Sequence, residues 1–302
     1  MSEPVAFDGR VAVITGAGGG LGRTYALELA KRGARVVVND LGGTVEGTGS
    51  SRKAADVVVN EIRDAGGEAV ASYDSVATEE GGAAIVQTAL DAFGTVEIVV
   101  NNAGILRDKS FANMTMEEVN AVLDVHLRGA FHVSLPAFRA MKEKGYGRFV
   151  FTSSASGLFG NFGQANYGAA KAGLVGLSNV LAVEGEKYDI RSNVIAPIAK
   201  TRMTEQLLGP FAEMVQPDQV TPMVVYLCSE QCRLTHEIFT SGGGRYGRVV
   251  IATNRGWFAG QDGEVSAEDI AEHLDEIRDI SDPVVPSNNN EEIALLAEML
   301  SG

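Results

Sequence analysis

The feature that most constrains the fold of this chain is a regular alternation of short β-branched runs with helix-length segments over its first 240 residues. Several runs are continuously apolar, which is typical of strands buried on both faces of a parallel sheet. The alternation predicts an α/β fold, a doubly wound parallel sheet with helices on both faces. The predicted strands are 10–15, 35–39, 69–73, 96–100, 148–152 and 191–196, and the predicted helices are about 21–32, 53–65, 79–93, 116–143 and 165–187.

The residues beyond 240 break this rhythm. We therefore expect a main domain over 1–240 and a C-terminal extension over 241–302. Within the extension the pattern predicts one more strand at 248–253 and a helix at 266–279, with Ser266 as its N-cap. A last short helix is expected at 291–300.

Charge and end sequences exclude several classes of function. The net charge of −14 includes −11 from residues 261–302, where 12 acidic residues accompany the single Arg278. Phosphate binding needs a basic face, so we expect no nucleic-acid partner. We also expect no membrane span and no signal peptide, because no apolar run reaches the ~18 residues required and the start of the chain lacks a basic leader. Since the chain ends Met-Leu-Ser-Gly and not in a Ser-Lys-Leu address, it is predicted to be cytoplasmic.

A glycine-rich loop joins the first predicted strand to the first predicted helix, with the sequence Thr-Gly-Ala-Gly-Gly-Gly-Leu-Gly at 15–22. Glycines let the backbone turn tightly and approach a pyrophosphate, which then lies at the helix N-terminus. Because this loop stands between a strand and a helix, it has the context that the motif requires. The sequence therefore predicts a Rossmann-like nucleotide-binding site that uses Gly16, Gly20, Leu21 and Gly22.

Asp40 closes the second predicted strand, where a carboxylate can bind both hydroxyls of the adenine-side ribose and repel a 2′-phosphate. Leu41 follows it, not an arginine, and Gly19 in the glycine loop is neutral. The predicted cofactor is therefore NAD, although a helix cap is a competing role for Asp40. The Gly-rich segment 41–51 that comes next is either a mobile linker or part of a cofactor rim.

Two further strand ends carry small polar residues. Asn102, Ala103 and Gly104 follow the fourth predicted strand, and Asp74 and Ser75 follow the third. Strand carboxyl ends face the ligand crevice in such sheets, so both segments are candidate cofactor contacts. Ordinary turns would show the same residue types.

Tyr167 and Lys171 lie four residues apart in a predicted helix, and Ser154 lies thirteen residues before the tyrosine. One helical turn brings the phenol and the ammonium side by side. A neighbouring cation favours the phenolate, so we expect the pKa of Tyr167 to fall below its usual value of about 10. A phenolate of this kind is a usable base toward an alcohol.

Together these motifs resemble the short-chain dehydrogenases/reductases over roughly residues 8–240. The resemblance implies that Tyr167 is the general acid/base, that Lys171 lowers its pKa and binds the nicotinamide ribose, and that Ser154 binds the substrate oxygen. It also implies contact between Asp74 and adenine, and cofactor support by the segment 101–104.

Two positions depart from the family pattern. His126 stands where the family usually has an asparagine, and it is either a member of the proton relay or purely structural. Pro197 keeps the family's proline beside the nicotinamide pocket, but Ile198 replaces the usual glycine. The other histidines are scattered and the two cysteines lack zinc-site spacing, so no metal is predicted.

A narrower resemblance is to the (3R)-hydroxyacyl-CoA dehydrogenase unit of the peroxisomal multifunctional enzymes of type 2, also described as a 17β-hydroxysteroid dehydrogenase. It is carried by the stretches 38–43, 102–108, 126–129, 153–167 and 195–204. The resemblance implies NAD-dependent oxidation of a 3-hydroxyacyl-CoA, with a fatty acyl or steroid side chain, by a stand-alone homodimer or homotetramer. The alternatives are a 17β-hydroxysteroid dehydrogenase and an NADPH-linked 3-oxoacyl reductase, against which Asp40 argues.

Two segments are candidate contacts for an acyl-CoA. Arg107 and Lys109 could meet the CoA phosphates or be solvated surface charges. The apolar residues Met203, Leu207 and Leu208 could form a lid over an acyl chain or pack in the core.

Overall fold

A computed structural model of the chain describes residues 3–261 and 263–301. Its centre is an eight-stranded sheet in the order β3-β2-β1-β4-β5-β6-β7-β8. Neighbouring strands among the first seven pair in parallel, as the alternating sequence pattern predicts. The strands are β1 Val11–Thr15, β2 Arg35–Asn39, β3 Glu68–Ser72, β4 Ile98–Asn101, β5 Gly147–Thr152, β6 Ile190–Pro197, β7 Ile238–Gly242 and β8 Arg245–Val249.

Helices alternate with the strands. They are α1 Gly20–Lys31, α2 Lys53–Asp64, α3 Glu79–Phe93, α4 Met116–Leu123, α5 Gly129–Lys144, α6 Ala155–Phe159, α7 Ala165–Gly185, α8 Glu205–Leu208, α9 Thr221–Cys228, α10 Ala267–Glu272, α11 Leu274–Arg278 and α12 Asn289–Ser301. Threonine side chains cap two of them, since Thr78 accepts from the third residue of α3 and Thr115 forms a capping box with Glu118 in α4. Over the described residues, no helix combines the length and apolarity needed to cross a bilayer.

The central strands are buried on both faces. Every residue of β1, β4 and β5 is buried, which explains why these runs read as continuously apolar in the sequence. The long predicted helix at 116–143 is continuous but not uniform, because a π-type turn, Asp124–Arg128, separates α4 from α5. Such turns are rare and occur often at functional sites.

The chain reverses its direction of travel across the sheet at β1. β1 pairs with β2 on one side and with β4 on the other. In open parallel sheets, ligands bind outside the carboxyl ends of the strands at this switch point. The strand order therefore brings the glycine loop, the residues after β2 and the residues after β4 to one edge.

The strand predicted at 248–253 is mostly wrong. The structure has a hairpin of β7 and β8, joined by Gly243 and Gly244, both of which have positive φ. Left-handed backbone at both turn positions suits the twist of a two-residue hairpin, which must be antiparallel. β8 is polar and largely exposed, while the apolar Val250 and Ile251 lie outside it and are exposed.

Contacts within the chain group residues 1–248 into one compact unit and residues 249–302 into a second. The domain boundary at residue 240 stays a prediction. Within the second unit, Ser266 caps α10 as predicted, but the helix expected over 266–279 is interrupted at His273. The ring of His273 stacks on that of Trp257, with centroids 3.9 Å apart.

Candidate active site

A cavity of about 360 Å³ opens at the carboxyl edge of the sheet, over the switch point. This volume lies within the usual range for small-molecule sites. The structure places almost all of the predicted site residues around it. Its lining includes Gly16, Gly20, Leu21, Asp40, Asp74, Ser75, Asn102, Ala103, Gly104, His126, Ser154, Tyr167, Lys171 and Pro197.

Gly22, a predicted cofactor-binding residue, does not line the cavity. A Cβ on Gly22 would lie 2.4 Å from the carbonyl oxygen of Gly16 and 2.7 Å from Nδ2 of Asn102. Gly22 therefore lets α1 pack closely on the glycine loop. By contrast, a Cβ on Gly19 would meet nothing within 4 Å, because Gly19 faces the cavity.

The residues after β4 are fastened to the end of β1. Nδ2 of Asn102 donates to the carbonyl oxygens of Thr15 and Gly16, at 3.0 and 3.2 Å. The hydroxyl of Thr15 accepts from the backbone N–H groups of Asn102 and Ala103, both at 3.0 Å. Sequence reasoning missed Thr15, although a hydroxyl at the end of a buried strand was an available signal.

The Asp40 carboxylate ties two backbone segments together. Oδ2 accepts from the N–H of Gly18 at 2.8 Å, and Oδ1 accepts from the N–H of Gly42 at 2.7 Å. These bonds join the glycine loop to the segment after β2 and are not a helix cap. Each carboxylate oxygen has a second lone pair, so Asp40 can still accept from ribose hydroxyls in the cavity.

The segment 41–51 forms part of the cavity wall. Thr44, Val45 and Gly47 line the cavity, and the N–H of Leu106 donates to the carbonyl of Val45 at 2.9 Å. Of the two roles that the sequence leaves open, these contacts favour the cofactor rim.

Asp74 and Ser75 lie at the far end of the cavity, after β3. The Asp74 side chain is exposed, and Oδ2 accepts from the hydroxyl of Ser72 at 3.2 Å. Nδ2 of Asn39 donates to the carbonyl of Asp74 at 2.9 Å. The Asp74 carboxylate is therefore held at the rim with capacity for a further donor.

Lys171 is buried beside Tyr167 on α7. Its Nζ donates to the carbonyl oxygen of Thr152 at 2.5 Å and lies 5.5 Å from the centroid of the tyrosine ring. Burial disfavours the ammonium form and lowers the pKa of Lys171 to about 7. The one-turn spacing in the sequence thus produces the predicted neighbours.

The expected direction of the Tyr167 pKa is wrong for this structure. Burial raises the pKa of Tyr167 to about 12, although the hydrogen bond with Ser154 acts to lower it. The reason is that desolvation opposes the charged form of both groups, so the buried lysine is a weak source of positive charge. A phenolate at neutral pH therefore needs additional positive charge in the cavity.

Ser154 directly precedes α6 and is its N-cap residue. Its extended backbone, with φ −162° and ψ 154°, places it at the N-cap, where its hydroxyl accepts from the N–H of Ser156 at 3.2 Å. The same hydroxyl interacts with the Tyr167 phenol and faces the cavity. Strand β5 thus delivers Ser154, and helix α7 delivers the tyrosine and lysine, to one end of the cavity.

His126 is buried on the π-type turn. Its Nε2 lies 3.0 Å from the N–H nitrogen and 2.8 Å from the carbonyl oxygen of Ile105, and its ring meets the Tyr167 ring edge-on at 5.1 Å. A Cβ on Gly104 would lie 2.3 Å from the imidazole Cε1. Burial, with a smaller contribution from Lys171, lowers the pKa of His126 well below its ordinary value, so the ring is neutral. It supports both the segment after β4 and the tyrosine.

Asn166 is a second support that the sequence did not reveal. Its buried Nδ2 donates to the carbonyl oxygens of Arg107 and Glu118, at 3.0 and 3.3 Å. Its Oδ1 accepts from the N–H of Tyr167 at 2.8 Å. The residue that precedes the tyrosine therefore fixes the segment after β4 to the start of α7.

The two basic residues predicted to meet CoA phosphates have partners within the chain. Nε of Arg107 donates to the carbonyl of Glu46 at 2.6 Å, and Nζ of Lys109 forms an ion pair with Glu118 at 2.6 Å. The observed contacts tie both residues to other segments of the chain, and a contact with CoA phosphates stays a prediction.

The remaining cavity wall comes from the segment after β6. Pro197 and Met203 line the cavity, and α8 begins only at Glu205. The predicted lid role of Leu207 concerns a side chain that lies outside the described residues. Among the described residues, no group of three or more His, Cys, Asp or Glu side chains could hold a metal ion.

The site fits a dinucleotide on three observations: the open cavity face of Gly19, the Asp40 carboxylate and the long lining from Asp74 to Tyr167. The family model for short chain dehydrogenase matches residues 10–209. The chain belongs to the short-chain dehydrogenase family, whose members are oxidoreductases that use nicotinamide cofactors.

Particular relatives narrow this assignment. A Mycobacterium tuberculosis protein, whose name places it among the short-chain type dehydrogenases/reductases, is 56% identical over 273 residues, which cover 90% of this chain and 95% of that protein. Peroxisomal multifunctional enzyme type 2 of Mus musculus is 47% identical over 302 residues, 99% of this chain but only 41% of the enzyme. The full-length enzyme of that name from Drosophila melanogaster has a similar structure, with a TM-score of 0.82 and 40% identity over 98% of this chain and 50% of the other. The chain thus resembles the dehydrogenase unit of these longer enzymes, as its motifs predict.

Proposed function

We propose that the protein catalyses NAD-dependent oxidation of the hydroxyl group of a 3-hydroxyacyl-CoA to the 3-oxoacyl-CoA. One observation carries the proposal. Ser154, Tyr167 and Lys171 line the same cavity as the Asp40 carboxylate, and Ser154 follows β5 while Asp40 follows β2, on the opposite side of β1. An alcohol can therefore reach the phenol and a nicotinamide ring together.

In this mechanism the bound NAD supplies the hydride acceptor. The Ser154 hydroxyl binds the substrate oxygen and orients it toward the Tyr167 phenol. The phenolate form of Tyr167 takes the hydroxyl proton as the C3 hydride leaves the substrate. Acid/base assistance of this kind contributes roughly 10²–10⁴-fold to the rate.

The electrostatics of the pair set the condition for this step. Burial raises the pKa of Tyr167 to about 12 and lowers that of Lys171 to about 7. Both shifts oppose the ion pair that the base requires. A positive charge on the oxidised ring favours the phenolate, because an opposite charge nearby stabilises it. Bound oxidised cofactor would therefore strengthen Tyr167 as a base.

Cofactor preference follows from Asp40. A carboxylate that faces the cavity repels a 2′-phosphate and accepts from ribose hydroxyls. Its two hydrogen bonds to backbone N–H groups hold it in one position. We therefore propose NAD over NADP.

The acyl-CoA substrate rests on the resemblance to the (3R)-hydroxyacyl-CoA dehydrogenase unit. A panel of substrates tests it. With NAD, the panel contains medium and long (3R)-hydroxyacyl-CoAs, their S isomers, a steroid side-chain thioester and a free 17β-hydroxysteroid; with NADPH, it contains 3-oxoacyl thioesters. We expect turnover of the (3R)-hydroxyacyl-CoAs. Turnover of the free steroid alone, or of 3-oxoacyl substrates with NADPH alone, would refute the proposal.

We also propose that the protein is a homo-oligomer. The outward faces of α5 and α7 carry large exposed apolar side chains, namely Phe131 and Leu135 on α5 and Val180 and Val183 on α7. Exposed apolar groups of this size mark interaction surfaces. Light scattering after gel filtration would show a dimer or tetramer, and charged substitutions at Val180 and Val183 would dissociate it if α7 forms the interface.

A further inference from the structure

We infer that the segment 41–51 is a clasp over the dinucleotide, closed by Arg107, and that it sets the rate at which the cofactor leaves. We call residues 41–51 the strap. The inference rests on the proposed use of a nicotinamide dinucleotide. It assigns a cofactor-retaining role to Arg107, which touches no reacting atom and is therefore a positioning residue.

Topology places the strap across the glycine loop. The strap follows β2, and Arg107 lies in the segment that follows β4. β2 and β4 flank β1 on opposite sides. A contact between the strap and the segment after β4 must therefore cross the carboxyl end of β1, from which the glycine loop begins.

Three contacts close this crossing. The N–H of Leu106 donates to the carbonyl of Val45 at 2.9 Å, and Nε of Arg107 donates to the carbonyl of Glu46 at 2.6 Å. Gly47, with φ +77°, packs against Ile105 so closely that a Cβ would lie 3.0 Å from its side chain. The strap thus has one backbone latch and one side-chain latch at adjacent residues, with an apolar contact beside them.

The cavity lies between the strap and the glycine loop. Its lining includes Gly19 and Gly20 on one side, and Thr44, Val45 and Gly47 on the other. A dinucleotide that fills this cavity lies beneath the strap. The strap is held at its base by the chain on either side and near its middle by the contacts of residues 45–47. Release of the cofactor therefore requires these contacts to open.

The latch is also connected to the catalytic helix. Asn166 donates to the carbonyl of Arg107 and accepts from the N–H of Tyr167, while His126 contacts the backbone of Ile105. The segment that holds the strap is therefore fixed from α7 and from the π-type turn. The two ends of the strap are also joined to each other, because the N–H of Ser51 donates to the carbonyl of Leu41 at 2.9 Å.

The test measures dissociation of the reduced dinucleotide by stopped-flow fluorescence, with the full chain and with whichever of NADH and NADPH binds more tightly. Arg107→Ala removes the side-chain latch. We expect dissociation to be faster by about three- to tenfold, because the hydrogen bond involves a charged group but is exposed to solvent.

Lys109→Ala is the matched control, because Lys109 lies two residues away and pairs with Glu118, not with the strap. It should leave dissociation unchanged. Gly47→Ala disturbs the same contacts from the strap. Alanine is strained at the positive φ of this position, and its methyl group would crowd Ile105. It should also speed dissociation, and melting temperatures near wild type would show that both variants are folded.

Wild-type dissociation rates in both Arg107→Ala and Gly47→Ala would overturn the clasp while leaving the proposed function intact. Equal acceleration by Lys109→Ala would also overturn it, because the effect would then be general to the segment. If the wild-type chain bound neither dinucleotide, the proposed function itself would fail, and the clasp with it.

Discussion

Nζ of Lys171 lies 5.5 Å from the centre of the Tyr167 ring; the lysine is buried and the tyrosine is partly buried. Burial favours the neutral form of both groups. It lowers the pKa of the lysine to about 7 and raises the pKa of the phenol to about 12. The geometry therefore brings the proposed acid/base pair together, and the charge state of the pair depends on its surroundings.

Tyr167→Phe removes the proposed base and keeps the shape of the ring. We expect kcat to fall by about 10²–10⁴-fold, while the affinity for NADH changes little. Steady-state kinetics and a fluorescence titration measure the two quantities. Tyr246→Phe, which loses an exposed hydroxyl contact to the carbonyl of Gln219, is the control and should retain activity. Near-normal turnover by Tyr167→Phe would refute the assignment.

Lys171→Met should change how stability depends on pH. The pKa of Lys171 is about 7 in the folded protein, against 10.5 for an ordinary lysine. Between these values the unfolded chain binds a proton that the folded chain does not, so this residue makes the folded state more stable as pH rises. Methionine lacks that dependence.

Urea unfolding at pH 7 and at pH 9.5 measures this effect. The wild-type free energy of unfolding should rise relative to that of Lys171→Met between the two pH values. Parallel behaviour of the two proteins would show that the lysine is not held neutral by burial.

Asp40→Asn keeps the size of the side chain but removes its charge. The repulsion of a 2′-phosphate then disappears, and one of the two backbone N–H groups at Gly18 and Gly42 loses its acceptor. We expect the affinity ratio of NADH to NADPH to fall by about 10-fold or more. Titration with both cofactors measures it, and an unchanged ratio would mean that other residues set the preference.

Gly22→Ala tests the packing of the glycine loop. The new methyl group would lie 2.4 Å from a backbone oxygen that cannot move freely, so we expect a loss of several degrees in Tm and weak cofactor binding. Gly19→Ala is the matched control for the melting temperature alone, because its φ of −169° suits any residue and its Cβ position is open. Equal melting temperatures for the two variants would contradict this account of the loop.

Much of the fold was predictable because its signals are local. β1 and α7 lie within a residue or two of their expected bounds, since apolar runs and helical periodicity depend on neighbours in sequence. The hairpin of β7 and β8 was not predictable in the same way. Its second strand is polar and exposed, and it pairs because the glycine turn brings it back beside β7.

The candidate site likewise has residues that local sequence signals indicated and residues that only long-range contacts place there. Most of the predicted residues that line the cavity come from strand ends and the glycine loop, because parallel strands bring their carboxyl ends to one edge. The contacts of Thr15, Asn166 and Arg107 join segments far apart in the chain, and no local pattern indicates which distant backbone group a side chain will meet.

The sequence by itself determined the sheet, the glycine turn and the helical spacing of Tyr167 and Lys171, because these depend on backbone geometry and on which residues must avoid water. Only the tertiary structure decided the protonation state of that pair and the partners of the segment 41–51. Desolvation and long-range hydrogen bonds depend on the atoms that surround a group, and those atoms are assembled only when the chain folds.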